Sequence, residues 1–388
     1  MQKNELQDVL LEILSKADGI PTEIIFDRNE IVEFSAIDRE ILLESHLSAY
    51  FHPLSQGNSN LVLPNVVEKI GLKCYYENIG KNTLLISAFK ELAEACNEAN
   101  IRIIPLKGLD LLLNVYENIG LRQLSDLDVL IEKSNLENFR NIMSKLGYTE
   151  IPMLPRKAVQ LIDHPSPYLY VRNGLHVDLH VKINKKKRFD VNIEQLWNRA
   201  QQTELEGVPI FRMDKLDFLV HLCIHLHKHF VVFNHKTIHF LDVKLFYLKN
   251  DISWKEFMER AHSYGCKQEV LEILYLIKTF LQLKNIPNEV FESLNEMKRR
   301  ELESNFVLSL SSSKIELEKR AVSEPYFRIP QLSKKDQFLY IVYYLFPSFE
   351  FVRAVNRTSP SPVLLLYIKR LFTETRNILK PRFKRIGF

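Results

Sequence analysis

The chain has 388 residues, of which 46% are hydrophobic and 26% are charged, and its formal net charge is +4. This composition is typical of a soluble globular protein with real cores, and the length suits two or three domains. The weak positive charge does not by itself indicate nucleic-acid binding. Uninterrupted apolar runs of about 18 residues do not occur, which excludes a predicted membrane span.

The N-terminus and the cysteines both indicate a cytoplasmic protein. Residues Met1 to Leu14 form an acid-bearing amphipathic pattern, which differs from that of a signal peptide. The four cysteines are widely scattered and contain no CxxC pair. We therefore expect reduced thiols and no structural zinc site.

The N-terminal part of the chain is predicted to be helical. Apolar residues recur at helical spacing, and we assign residues 1–82 to an N-terminal helical region. The next stretch, Thr83 to Ala99, is also a predicted helix, with Leu85 and Phe89 on one side.

After residue 100 the pattern changes to alternating strands and helices. A β-branched strand ends at the Lys107-Gly108 turn, and Asn173-Gly174 is the strongest hairpin signal of the chain. Gly147 is the predicted C-cap of a helix. The predicted elements are the strand Ile101–Leu106, the helix Leu109–Tyr116, the strand Leu127–Ile131, the helix Asn135–Leu146 and the hairpin strands Tyr168–Arg172 and Leu175–Ile183.

From Leu216 onward the pattern is helical again, with helices predicted near 216–230, 238–248, 254–283, 336–346 and 361–379. The sequence therefore predicts an α+β fold. Its small mixed-sheet core occupies residues 83–190, between the N-terminal helices and a C-terminal helical domain at residues 191–388.

Two carboxylates stand two residues apart at the start of the second strand. Residues i and i+2 of a strand point to the same face, so Asp126 and Asp128 lie side by side. Adjacent acids repel each other unless a cation lies between them, which indicates a divalent metal. Asp178 and His180 share one face of a later strand, and pairing the two strands would bring Asp178 to the same site. The alternative is that these acids are solvent-facing strand ends.

Three carboxylates at one site can hold two Mg²⁺ ions and leave coordination positions for triphosphate oxygens. Asp178 is also placed to accept the proton of an acceptor hydroxyl as a general base. Asp126, Asp128 and Asp178 are therefore the candidate catalytic and metal-binding residues.

The Lys107-Gly108 turn is the candidate phosphate contact. Glycine allows the backbone to approach a phosphate closely, and the following helix offers unpaired N–H groups at its N-terminus. Lys107 would add a positive charge, and Arg122 would neutralise charge that develops on the phosphate. Lys-Gly is also a common turn, and Arg122 equally fits an ordinary surface arginine.

Three histidines, His221, His225 and His229, form one stripe of a helix. This spacing can bind zinc, but the chain has no HExxH motif and no carboxylate on the same helix face. We expect the stripe to pack against the core, as polar contacts to the nucleotide or acceptor or as structural interface residues. Asp242 is expected to orient one of the histidines.

Several motifs together resemble the uncharacterised nucleotidyltransferase family of the DNA polymerase β-like superfamily. The family pattern is LKG, then R-x-x-x-D-x-D and a hydrophobic residue, a helix ending in L-G-Y/F, and a D-L-H strand. The matching segments are Leu106–Leu112, Arg122–Ile131, Leu146–Tyr148, Val177–His180, Leu222–His229 and Phe240–Asp242. The resemblance covers roughly residues 85–250.

The resemblance implies a nucleotidyltransferase that moves an NMP group from an NTP, with ATP expected, to an acceptor and releases pyrophosphate. It implies Mg²⁺ or Mn²⁺ as the cofactor, with Asp126 and Asp128 as ligands and Asp178 as the third carboxylate. Well-studied superfamily members have Gly-Ser where this chain has Lys107-Gly108. The serine normally helps to hold the triphosphate, so Lys107 substitutes for it or favours another donor. The candidate nucleotide-binding residues are Lys107, Gly108, Arg122, His180, His225 and His229.

Two other functions remain open. The changed Gly-Ser position fits a nucleotide-binding or regulatory module that keeps the fold without the reaction. The basic segments Lys185–Arg188 and 380–385 fit a toxin-like nucleotidyltransferase directed at RNA. The acceptor, whether a small molecule, a peptide or RNA, does not follow from the fold.

Overall fold

The computed structural model describes residues 10–11, 13–14, 36–53, 65–152, 168–183, 189–231, 236–284, 286–311, 333–356 and 359–383. The predicted basic segment Lys185–Arg188 and the end of the basic C-terminus, residues 384–388, lie outside these ranges. Of the helices within them, none is long and apolar enough to cross a membrane.

The strands of the described residues form a mixed sheet and a separate hairpin. They are β1 (Ile103–Pro105), β2 (Leu127–Ile131), β3 (Thr149–Pro152), β4 (Tyr168–Arg172), β5 (Leu175–His180), β6 (Gln201–Leu205) and β7 (Val208–Arg212). Five of them form one sheet in the order β1-β2-β5-β4-β3, and β6 pairs with β7. Strands β2 and β5 run parallel, and the other neighbours in the sheet are antiparallel.

In chain order, helices precede the first strand, connect several of the strands and follow the last one. They are α1 (Ala36–Ser45), α2 (Asn65–Glu98), α3 (Lys107–Asn114), α4 (Leu136–Lys145), α5 (Ile193–Arg199), α6 (Lys215–Phe230), α7 (Ile238–Lys249), α8 (Trp254–Ser263), α9 (Lys267–Phe280), α10 (Glu296–Ser311), α11 (Lys334–Leu345), α12 (Phe349–Val355) and α13 (Val363–Phe383). The predicted α+β fold is confirmed by this arrangement.

Strand β2 is the central element of the core. It lies between β1 and β5, and all five of its residues are buried. A strand buried on both faces is expected to be almost continuously apolar, and the sequence LDVLI has this character except at Asp128. A buried carboxylate in such a strand requires polar partners, which the neighbouring elements supply.

Two predicted turns are confirmed by the backbone. Asn173 and Gly174 have φ values of 49° and 81°, as the type I′ turn of a two-residue hairpin requires. Gly147 follows α4 with φ of 78°. Its N–H donates to Ser144 O, and the N–H of Tyr148 donates to Met143 O, which is the Schellman pattern of helix termination.

Other element predictions differ from the structure. The first strand is shorter than Ile101–Leu106, and β3 and the β6–β7 hairpin were not predicted. Helix α2 begins at Asn65 and runs without interruption through the predicted domain boundary at 82/83. The division into residues 1–82, 83–190 and 191–388 stays a prediction.

Candidate metal and nucleotide site

The parallel pairing of β2 and β5 brings two carboxylates together. Asp128 and Asp178 are directly opposite each other in the register, and His180 lies two residues further along β5. Since alternate residues of a strand share a face, Asp178 and His180 point to the side on which Asp128 lies. One ligand atom from each of the three residues lies within 4.8 Å of the others. We call these three residues the acid cluster.

His180 is an integral part of the acid cluster. Its Nε2 lies 2.8 Å from Asp128 Oδ1 and 3.7 Å from Asp178 Oδ2. An ionised carboxylate has no hydrogen to donate and can only accept hydrogen bonds. The hydrogen of this bond is therefore on His180 Nε2. Its buried Nδ1 has no hydrogen-bond partner within the described part of the chain. The sequence predicted a nucleotide contact for His180, and the structure places it beside the carboxylates.

Lys107 approaches the acid cluster from the end of β1. The N–H of Leu106 donates to Asp128 O at 2.9 Å, which fixes the turn next to the carboxylate. The Lys107 Nζ lies 2.6 Å from Asp128 Oδ1. Burial alone would lower the pKa of Lys107. The negative charges of Asp128, Asp178 and Asp126 outweigh this effect and raise the pKa. Conversely, Lys107 and His180 hold the pKa of Asp128 below its ordinary value despite burial.

Asp126 lies just before β2, outside the compact group of ligand atoms found in the described residues. Its Oδ1 accepts a hydrogen bond of 2.7 Å from Ser125 Oγ. Burial, followed by the negative charge of Asp128, raises the pKa of Asp126. Asp126 is therefore near enough to interact with Asp128, and its role as a metal ligand stays a prediction.

Arg122 is buried in an ion pair and is not the surface arginine of the alternative interpretation. It is 5% exposed, and its Nε and Nη2 donate to the two oxygens of Asp242 at 2.9 and 2.8 Å. Tyr116 also donates its hydroxyl to Asp242, at 2.8 Å. The expectation that Asp242 orients a histidine is therefore wrong, because its carboxylate holds Arg122 and Tyr116. The contact of Arg122 with phosphate stays a prediction.

Gly108 lies against Arg122 at the start of α3. A Cβ atom at this position would stand 2.8 Å from both Arg122 Cζ and Leu124 Cδ1. Such distances are too short for a real side chain, so only glycine fits here without movement of its neighbours. The glycine predicted as a phosphate contact thus has a packing requirement of its own.

Asn82 of helix α2 is a residue near the site that the sequence did not predict. This residue is fully buried, and its Nδ2 donates to Ile119 O at 2.6 Å and to Arg122 O at 2.7 Å. Its Oδ1 accepts from Leu124 N at 3.2 Å. Asn82 therefore holds the loop that precedes β2, and with it the segment that carries Asp126 and Asp128, through three hydrogen bonds. The available signal was a pair of asparagines four residues apart, Asn78 and Asn82, on a helix face that continues with apolar residues.

The histidine stripe of α6 faces the same region. His221 is 2% exposed, and neither of its ring nitrogens has a hydrogen-bond partner in the described ranges. Burial, and then the charges of Lys107 and His180, lower the pKa of His221 to about 3. Burial and Lys107 also lower the pKa of His225, whose ring centroid is 4.6 Å from that of His229. Both His221 and His225 are therefore neutral near pH 7.

The acid cluster has the chemistry of a cation site. Carboxylate oxygens suit Mg²⁺ and Mn²⁺, and imidazole nitrogen is a common ligand of transition metals. Asp128 of this cluster already forms an ion pair with a cationic group, the ammonium of Lys107. The residues present therefore fit a divalent cation.

Comparison with known proteins agrees with this geometry. A family described as "Uncharacterised nucleotidyltransferase" matches residues 45–282, which is more than half of the chain. This match is longer than the region of roughly 85–250 in which the sequence motifs were found. No curated protein matches the chain.

Proposed function

The chain belongs to the uncharacterised nucleotidyltransferase family, and we propose that it is a metal-dependent enzyme that transfers the NMP group of an NTP to an acceptor. ATP is the proposed donor, and the acceptor group is a hydroxyl or another nucleophile. The observation that carries this proposal is the grouping of Asp128, Asp178 and His180 beside Lys107 at the centre of the sheet.

We propose that Asp128, Asp178 and His180 hold Mg²⁺ or Mn²⁺, with Asp126 as a further ligand. Support comes from the short distances within the acid cluster, where one ligand atom of each residue lies within 4.8 Å of the others. A divalent cation bound there would neutralise triphosphate oxygens and lower the pKa of the acceptor hydroxyl. The imidazole ligand favours Mn²⁺ more than an all-carboxylate site would.

In the proposed reaction, the acceptor oxygen forms a bond to the α-phosphorus. The bond from the α-phosphorus to the bridging oxygen breaks, and its electron pair leaves with pyrophosphate. The acceptor proton passes to a carboxylate that acts as a general base. Asp178 is the candidate for this role that was predicted from the sequence. Asp126 is a second candidate because a raised pKa makes a carboxylate a better proton acceptor.

The positive groups of the site would act on the triphosphate. Lys107 has the only ammonium found against the acid cluster in the described residues, and Gly108 lies in the first turn of α3, where helix N–H groups are unpaired. Charge-assisted contacts of this kind stabilise the additional negative charge of the pentacoordinate state. Arg122, which lies next to Gly108, would contribute a further positive charge.

The test is the Asp128→Asn variant, with Asp251→Asn at an exposed position as the matched control. The proteins are incubated with α-³²P-labelled NTPs, Mg²⁺ or Mn²⁺ and cellular extract, and labelled products are identified by mass spectrometry. We expect Asp128→Asn to lose transfer while its circular dichroism spectrum stays unchanged, and the control to keep transfer. Transfer by a folded Asp128→Asn protein at the wild-type rate would refute the proposal.

A further inference from the structure

Lys107 occupies the position in the acid cluster where a bound cation is expected. Its Nζ lies 2.6 Å from Asp128 Oδ1, the same oxygen that lies 2.8 Å from His180 Nε2. The negative charges that raise the pKa of Lys107 belong to Asp128, Asp178 and Asp126. These are the same three acids that are proposed to hold the metal, so the ammonium and the metal compete for one set of partners.

The backbone at Lys107 gives independent support for a function of this side chain. Its φ is 49°, in the left-handed region that favours glycine and disfavours lysine. The side chain is also only 16% exposed, although a lysine at a turn is ordinarily solvated. A strained backbone and a buried ammonium at one residue are both unfavourable, and such features are concentrated at functional sites.

We infer that Lys107 is an internal counter-cation, which a divalent metal displaces and which then binds the triphosphate of the nucleotide. This inference rests on the proposed function and adds an order to it. Metal alone binds weakly, because it must displace an ammonium that is already in contact with Asp128. Metal together with a triphosphate binds tightly, because the displaced ammonium gains a new anionic partner.

The surroundings of Lys107 explain why the triphosphate is needed. A buried ammonium that loses its carboxylate partners is strongly unfavourable unless another anion replaces them. The nearby His221 and His225 are neutral and cannot supply negative charge. An incoming phosphate group can supply it, so the metal and the nucleotide assist each other's binding, as linkage requires.

The experiment measures Mn²⁺ binding by electron paramagnetic resonance, with and without the non-transferable analogue α,β-methylene-ATP. Lys107→Met removes the ammonium, and Lys107→Gly removes it while suiting the left-handed backbone. Lys90→Met is the matched control, because Lys90 forms a distant ion pair of 2.8 Å with Glu206. We expect both Lys107 variants to bind Mn²⁺ alone about tenfold more tightly than the wild type, within the usual range of coupling between sites.

The analogue separates displacement from a simple change in charge. In the wild type and in Lys90→Met, α,β-methylene-ATP should tighten Mn²⁺ binding by a larger factor than it does in the Lys107 variants. Equal Mn²⁺ affinity of the wild type and the Lys107 variants, or an equal effect of the analogue in both, would overturn the inference. Asp128→Asn distinguishes this failure from that of the proposed function. If Asp128→Asn binds Mn²⁺ like the wild type, the metal centre itself is wrongly placed.

Discussion

Acidification from pH 7 to pH 5 should destabilise the folded protein through the buried His221. The pKa of this imidazole is lowered from 6.5 to about 3, first by burial and then by the charges of Lys107 and His180. In the unfolded chain His221 takes up a proton below pH 6.5, whereas in the folded protein it stays neutral until the pH approaches 3. Its contribution to stability is therefore lost as the pH falls through this window.

The size of the effect follows from the displaced pKa. A pH of 5 lies about 1.5 units below the pKa of His221 in the unfolded chain. Protonation of this residue therefore favours the unfolded state by about 2 kcal/mol at pH 5. At pH 7 the same contribution is close to zero because the unfolded imidazole is also mostly neutral. The two pH values thus differ by about 2 kcal/mol from this one residue.

Urea unfolding of the wild type, His221→Gln and His262→Gln at both pH values measures this difference. His262 is an exposed residue of α8 and provides the matched control. From pH 7 to pH 5, the free energy of unfolding of His221→Gln should fall by about 2 kcal/mol less than that of the other two proteins. Each protein is compared with itself, so any stability cost of the substitution at pH 7 cancels. An equal fall in all three proteins would refute the reasoning.

Three further predictions concern two glycines and the buried ion pair of Arg122. Gly108→Ala should lose about 1–3 kcal/mol of stability, because its Cβ would stand 2.8 Å from Arg122 Cζ. In contrast, Gly80→Ala in helix α2 should gain about 1 kcal/mol, because no atom lies within 4 Å of the added Cβ. Urea unfolding at pH 7 tests both, and a Gly108→Ala protein as stable as the wild type would contradict the first. Asp242→Leu should lose about 3–5 kcal/mol by leaving Arg122 buried without its partner, and adding Arg122→Met should recover part of this loss. A double variant less stable than Asp242→Leu, in the same assay, would show that the unpaired charge is not the main cost.

The elements that the sequence predicted well have strong local signals. Strand β2 is an apolar run whose bounds match Leu127–Ile131, and the Asn173-Gly174 turn specifies its hairpin without help from distant residues. The sequence placed Asp178 at the same site on the condition that its strand pairs with β2. The register that places Asp178 directly opposite Asp128 confirms this pairing.

The features that the sequence did not predict depend on partners far along the chain. Arg122 and Asp242 are 120 residues apart, and no local pattern indicates that they form a buried pair. Asn82 reaches across 42 residues to Leu124, and no local pattern in the sequence indicates this contact. Strand β6 of the β6–β7 hairpin has largely exposed residues, so its sequence lacks the alternation of apolar and polar residues that predicts a strand.

The charge of the acid cluster together with Asp126 would constrain how many cations are held before the nucleotide arrives. The carboxylates of Asp126, Asp128 and Asp178 and the ammonium of Lys107 leave two negative charges, which one divalent cation would balance. A second divalent ion would make the buried site positive, which is unfavourable unless a triphosphate enters with it. The left-handed backbone at residue 107 suits glycine, and this chain has lysine there instead. The lysine therefore adds a positive charge at a backbone cost of about 1–2 kcal/mol, and under the proposed function that charge would make occupancy by two metals depend on the nucleotide.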